Sequence, residues 1–179
     1  MFARTARLML RPGWPEDAPA LAAAIAHEQV ARMTARVPWP YQLSDAEAFL
    51  AQPADPRHPV CLIIAHPVPG ESPELVGSVG LYDADGAHEL GYWLTPSAWG
   101  QGYATEAARA MLAHARHGLA LGRVQAGHFS DNPASGRVLR KLGFLPTGEV
   151  AYPSLARGGV APAQRYEVHL TQDAMLAAA

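Results

Sequence analysis

Cysteine, lysine and net charge are all scarce in this chain. Cys61 is the one cysteine among 179 residues, so no internal disulfide can form. It lies in the apolar run at 60–65, where burial is the expected fate of a free thiol. A lone thiol suits a reducing compartment, and a cytoplasmic location is expected. Lys141 is the one lysine, and the other basic residues are arginine. Charged residues make up 17% and the formal net charge is −2, which leaves no basic field to recruit nucleic acid or membrane. No apolar run reaches the roughly 18 residues of a membrane span, and the first residues lack a secretory apolar core. Phosphate-loop lysine motifs are missing too. No Gly-Lys-Ser/Thr follows the glycine pair Gly100 and Gly102, and the third glycine of a dinucleotide fingerprint is absent. There is no internal repeat and no dividing linker, so a single domain over 1–179 is expected.

What is present is a 49% apolar content punctuated by 16 glycines and 16 prolines. Residues 7–11 read as a strand with Leu8 and Leu10 inward. Trp14-Pro15-Glu16-Asp17 opens a helix whose apolar stripe is Leu21, Ala24 and Ile25. Residues 31–43, with prolines on both sides of Trp39, are irregular. Ser44 and Glu47 have capping-box spacing ahead of a short helix. Residues 60–65 are a strand covered on both faces. Residues 67–73 are a turn, and 74–81 a partner strand. Asp83-Ala-Asp-Gly86 turns the chain into a third strand at 89–95, giving an antiparallel meander. A helix from Tyr103 to His117 buries Ala104, Ala108, Met111, Leu112 and Ala115 and stops at Gly118. His114 and His117 share it, with no third metal ligand in view, so no metal is expected. A strand at 123–129 follows. Asn132 then caps a helix with Pro133 at its first position and Val138, Leu139 and Leu142 inward. The last strands are expected at 144–150 and 165–170, joined by a long loop over 152–164.

The stretch 89–144 organises the rest. Its strand ends at Pro96, and Trp99-Gly100-Gln101-Gly102-Tyr103-Ala104-Thr105-Glu106 opens the long helix. Two glycines at a helix start let the backbone approach an anion while first-turn N–H groups point at it. That reads as a pyrophosphate cradle.

These motifs resemble the GNAT N-acetyltransferases, and within them the RimJ/RimL-like branch. The superfamily signature Gln/Arg-x-x-Gly-x-Gly/Ala falls on Ser97-Ala98-Trp99-Gly100-Gln101-Gly102, with Ser97 at the Gln/Arg position. Asn132-Pro-Ala-Ser135, the run from Arg137 to Phe144, Arg7-Leu-Met-Leu-Arg11, Pro38-Trp-Pro-Tyr41 and Gly77-Ser-Val-Gly80 carry the likeness along most of the chain. The resemblance implies an α/β (α+β) fold: a mixed, mostly antiparallel sheet of six to seven strands flanked by about four helices. A splayed strand pair, here 89–95 and 123–129, would hold acetyl-CoA.

The resemblance also implies acetyl transfer from acetyl-CoA to a primary amine, on a protein N-terminus or a small molecule, by direct attack in a ternary complex. No metal takes part. The loop Trp99, Gly100, Gln101, Gly102, Tyr103, Ala104 and Thr105 would take the pyrophosphate, with Asn132 and Ser135 on the pantetheine. A main-chain N–H near Leu94 or Thr95 would face the acyl oxygen. Glu89 is the expected base, with His88 as alternate. The family's tyrosine position holds Leu139, which leaves Ser135 as the nearest hydroxyl for the leaving thiolate. Arg36, Trp39, Tyr41 and Arg157 are the expected acceptor contacts. Arginines in the 31–43 and 151–164 loops favour an acceptor with a carboxylate or a carbonyl-rich backbone. The rival reading is a non-catalytic acyl-CoA-binding or partner-binding protein on the same scaffold. A homodimer, the commonest assembly, is the oligomer to test for.

Overall fold

Strand-forming runs of branched and aromatic residues alternate with alanine-rich helical ones, and the chain folds into one mixed sheet with helices on both faces. The computed structural model describes residues 1–66 and 72–170. Within them the chain runs β1 (Ala3–Arg4), β2 (Leu8–Arg11), a 3-10 turn (Pro15–Asp17), α1 (Ala18–Ile25), α2 (Glu28–Ala31) and α3 (Leu43–Leu50). Then come β3 (Val60–Ala65), β4 (Glu74–Ala84), β5 (Ala87–Leu94) and α4 (Tyr103–His117). The chain continues through β6 (Arg123–Phe129), α5 (Pro133–Lys141), β7 (Leu145–Ser154) and β8 (Gly159–His169). The sheet order is β1-β2-β3-β4-β5-β6-β8-β7. Every pairing is antiparallel except β5 with β6.

One face of the sheet packs on α4 and α5. Leu8, Leu10, Leu81, Leu90, Val124 and Ala126 from the strands meet Ala108, Met111, Leu112 and Leu139 from the helices. The alanines of α4 let its axis come close to the strands, while Met111 fills the interior. Each fully buried leucine or methionine side chain contributes about 1.5–3 kcal/mol of transfer free energy. The other face packs on α1 and α3 through Leu21, Ala46, Leu62, Ile64 and Leu75. Cys61 is fully buried, and burial pushes its thiol pKa up.

Four expectations need correction. The sheet has eight strands, not six to seven, and among the described residues there are five α-helices. The stretch 152–164 is not a long loop. It is the end of β7, a tight turn with Gly158 at φ 66°, and the start of β8. Its prolines mislead because of where they sit: Pro153 is on the edge strand β7, and Pro162 lies one residue past the last β6 partner, Ala163. The helix expected at Ser44 is capped earlier, where the Gln42 N–H donates to Asp45 Oδ2 at 2.7 Å. The segment expected to be irregular from residue 31 begins with the last residue of α2. The helix expected at Tyr103–His117 does stop at Gly118, its C-cap, and the left-handed residue that follows is Ala120, φ 53°. The turn expected at 67–73 falls largely outside the described residues. Gly86 does adopt positive φ, 81°, and its N–H donates to the Asp83 carboxylate.

Candidate active site

β5 and β6 run parallel but pair only at Glu89↔Gln125 and Leu90↔Ala126. Beyond that point they part. Antiparallel strands turn alternate residues to opposite neighbours. The Thr95 N–H donates to Val76 O at 2.8 Å, so the odd residues of β5 bond β4 and the even ones face β6. The Leu94 carbonyl accepts Trp99 Nε1–H at 2.9 Å. The main chain of Tyr92 and the N–H of Leu94 therefore face the wedge. Of the two N–H groups expected near the acyl oxygen, that of Thr95 is engaged by β4 and that of Leu94 faces the wedge.

The glycine turn closes one end. Gly100 and Gly102 have φ of 75° and 82°, a region that costs other residues about 1–2 kcal/mol. Gly102 is the N-cap of α4, and the first main-chain bond of the helix is Glu106 N–H to Gly102 O. The N–H groups of Tyr103, Ala104 and Thr105 precede that bond and have no partner within the helix. The Gln101 side chain folds back, donating to Ser97 O at 3.0 Å. Arg7, from the start of the chain, holds this turn. It donates to Gln101 O at 2.9 Å and Glu106 Oε2 at 2.8 Å, and lies over the Tyr103 ring. Glu106 also accepts from Thr5 Oγ1 and the Arg7 N–H. Burial alone would raise the Glu106 pKa, but these donors outweigh it and lower it. Sequence reasoning passed over the Arg7–Glu106 pair because its members lie 99 residues apart in the chain.

On the α5 side, Asn132 Oδ1 accepts the Ser135 N–H at 3.2 Å, the cap its position suggested. The Ser135 hydroxyl lies 2.8 Å from the Tyr92 hydroxyl. Burial raises the Tyr92 pKa to about 12, so the phenol stays protonated. Leu139 is buried in the core. Tyr92 thus brings a phenol to this part of the cleft, on a strand residue that the alternating pattern marks only as inward.

Glu89 faces the opposite side. The Tyr152 hydroxyl donates to Glu89 Oε2 at 3.4 Å. Burial raises the Glu89 pKa, while Tyr152, Arg165 and Arg36 pull it back without cancelling the rise. Two tyrosine rings flank the carboxylate. Tyr82 lies over Gly91 and Tyr152 over Gly127, and a Cβ on either glycine would run into the ring. Arg36 sits over Tyr82 at 5.2 Å and Arg165 over Tyr152 at 6.0 Å. His88 projects elsewhere, stacked on His58 with ring centroids 4.8 Å apart.

The expected acceptor residues are divided by the structure. Arg36 and Tyr41 line the same cleft as Glu89. Trp39 lines a separate shallow depression with His27 and Arg32. Arg157 does not line the cleft. It donates to Arg32 O at 2.8 Å and to Asp131 at 3.0 Å, and covers Phe129, so it pins the β7–β8 turn to the segment after α2. Ser154 and Leu155 reinforce that junction through Thr34 O and Ala35 O. The cleft runs from the glycine turn through the wedge to both sides of the sheet, touching Gly102, Leu94, Ser135, Tyr92, Glu89, Tyr152 and Arg165. Among the described residues no group of three His, Cys, Asp or Glu could hold a metal ion, and no helix is long and apolar enough to cross a membrane.

A family model described as "Acetyltransferase (GNAT) domain" matches residues 7–145. The Bacillus subtilis protein named "Uncharacterized N-acetyltransferase YoaA" is 35% identical over 81 residues, 44% of this chain and 46% of that one. The chain spans about half the length of the curated relatives it matches. Among solved structures, a GNAT-family acetyltransferase from Bacillus anthracis superposes with a TM-score of 0.80 at 23% identity, covering 95% of this chain and 99% of that one. RimL, a ribosomal L7/L12 alpha-N-protein acetyltransferase solved with coenzyme A, superposes with a TM-score of 0.76 at 18% identity, covering 94% and 98%. At these identities the structural likeness is one of fold.

Proposed function

The chain belongs to the GNAT acetyltransferase family, and we propose that it transfers an acetyl group from acetyl-CoA to a primary amine, small or at a protein N-terminus. One observation carries this reading. A single cleft joins the left-handed Gly100–Gly102 turn, the unpaired β5–β6 wedge and the half-buried Glu89. The residues fit the co-substrate. The first-turn N–H groups of α4 suit a pyrophosphate, and the wedge main chain suits the amides of a pantetheine arm. Bound there, acetyl-CoA would supply the activated acyl thioester.

The protein's own groups do the rest. Glu89 takes the amine proton, directly or through water. Burial raises its pKa, which makes the ionised carboxylate a stronger proton acceptor. The Leu94 N–H is the donor available to the acyl oxygen, a contact worth about 3 kcal/mol in related chemistry. Ser135 and Tyr92, with hydroxyls 2.8 Å apart, are the O–H pair available to the leaving sulfur. A buried phenol of pKa about 12 makes this pair hydrogen-bond donors to a thiolate, and the proton can then come from solvent.

Thiol release from acetyl-CoA is measured against peptides with free N-termini, amino acids, polyamines and aminoglycosides, with products identified by mass spectrometry. Acetylated amine formed in step with thiol supports the reading. Tight acetyl-CoA binding without turnover across the panel would favour the non-catalytic binding protein.

A further inference from the structure

The acceptor side of Glu89 has a paired construction. Gly91 on β5 and Gly127 on β6 leave room for the rings of Tyr82 and Tyr152. Each ring carries a guanidinium, Arg36 on one and Arg165 on the other. Both arginines are exposed and both line the cleft that Glu89 lines. Among the described residues neither forms a salt bridge, and Arg165 hydrogen-bonds the Tyr152 hydroxyl. Arg36 donates at 3.3 Å to the Asp83 carbonyl, a neutral acceptor. Arg36 arrives on the segment that the β7–β8 turn pins down, and Arg165 on β8 itself, so the two come from separate parts of the chain.

A primary amine that reaches Glu89 enters a cleft that both forks line. Each guanidinium has five N–H donors, and those that remain beyond the bonds to Asp83 O and Tyr152 have the fork geometry that matches a carboxylate. We infer that Arg36 and Arg165 bind a carboxylate borne by the acceptor close to its amine, so that the substrate is an amino acid or an acidic peptide N-terminus rather than a polycation. The inference rests on the acetyl-transfer reading for the role of the amine. A polyamine or aminoglycoside would set extra positive charge against the same two arginines.

The test compares matched pairs: free L-amino acids against their amides, and dipeptides beginning with Asp against those beginning with Asn. Spermidine and phosphoethanolamine complete the set. The wild-type protein is expected to favour each carboxylate over its neutral partner in kcat/KM by about tenfold or more. Preference for free amino acids over the dipeptides would identify the small acceptor, and the reverse the peptide. Arg36→Gln and Arg165→Gln should each shrink the acid-to-amide ratio at a pH where Glu89 is ionised in every variant. Arg165→Lys should recover it only in part, because the ammonium lacks the fork. A role confined to tuning Glu89 would leave the ratio untouched. Should no amine turn over, the transfer reading fails by itself. The binding arm then decides: calorimetry of the coenzyme A-loaded protein with N-acetyl amino acids and their amides. Selective binding of the acids, lost in both Gln variants, supports the inference. Equal or absent binding of acid and amide overturns it, as does preference for spermidine or phosphoethanolamine.

Discussion

The Tyr152 hydroxyl donates to Glu89 Oε2 across 63 residues of sequence, 3.4 Å from a carboxylate whose pKa burial has raised. The bond favours the charged form, so it opposes the burial. The acid limb of kcat/KM is expected above the usual carboxylate range. Tyr152→Phe removes a stabiliser of the carboxylate and should move the limb further up. Glu89→Gln should abolish the limb and lower kcat by about 10²- to 10⁴-fold. A pH–rate profile checks this, and a limb that stays put or falls in Tyr152→Phe removes Glu89 from the role of base.

The same raised pKa predicts a stability trade. The folded state holds the Glu89 proton more tightly than the unfolded state. Its contribution to stability is therefore fully present below the unfolded pKa and lost as pH rises through the folded one. Near neutral pH Glu89→Gln should raise Tm while lowering activity. Thermal denaturation at acid and neutral pH is the check, and the gain should vanish in acid.

Gly100→Ala should weaken the cofactor turn through its backbone alone. A Cβ there meets nothing within 4 Å, but φ of 75° becomes strained by about 1–2 kcal/mol. Gly102→Ala adds a Cβ 3.5 Å from the Arg7 guanidinium. Titration calorimetry with coenzyme A should show about tenfold weaker binding in each variant, with the far-ultraviolet spectrum of the fold retained.

Arg7→Ala should act on the same turn from outside it. Arg7 is half exposed, so the stability cost is expected at the upper end for a solvent-screened ion pair, about 1 kcal/mol. Its effect on coenzyme A affinity should exceed its effect on the acceptor KM. Glu106, whose pKa is lowered overall, adds stability above its unfolded pKa that is lost as pH falls through the folded value. Glu106→Gln should flatten that acid loss in a denaturation series.

Tyr92→Phe and Ser135→Ala should lower kcat by similar factors, and the double variant by little more than either alone. Two hydroxyls 2.8 Å apart that act as one unit give such non-additivity. Additive losses would mean that they work separately.

Local signals read well wherever the chemistry is local. Val60–Ala65, Tyr103–His117 and Arg123–Phe129 form with the boundaries that apolar period, capping and breakers suggest. Asn132 caps α5, and Gly100 and Gly102 take the left-handed conformation that only glycine adopts without strain. The 152–164 stretch misled because a proline forbids a strand only where its missing N–H is needed, and edge position is a property of the finished sheet. That misreading hid Tyr152, and with it one wall of the cleft beside Glu89.

The sequence by itself determined the glycine turn, the helix it opens and the family to which both belong, because those depend on neighbours in the chain. Only the tertiary structure decided that Tyr152, with Arg165 over its ring, meets Glu89, that Tyr92 meets Ser135, and that Arg157 holds a turn while Arg36 sits over Tyr82. Each of those meetings depends on strand order and register. β8 enters the sheet between β6 and β7, and no residue pattern along a single strand reports which strand will lie beside it.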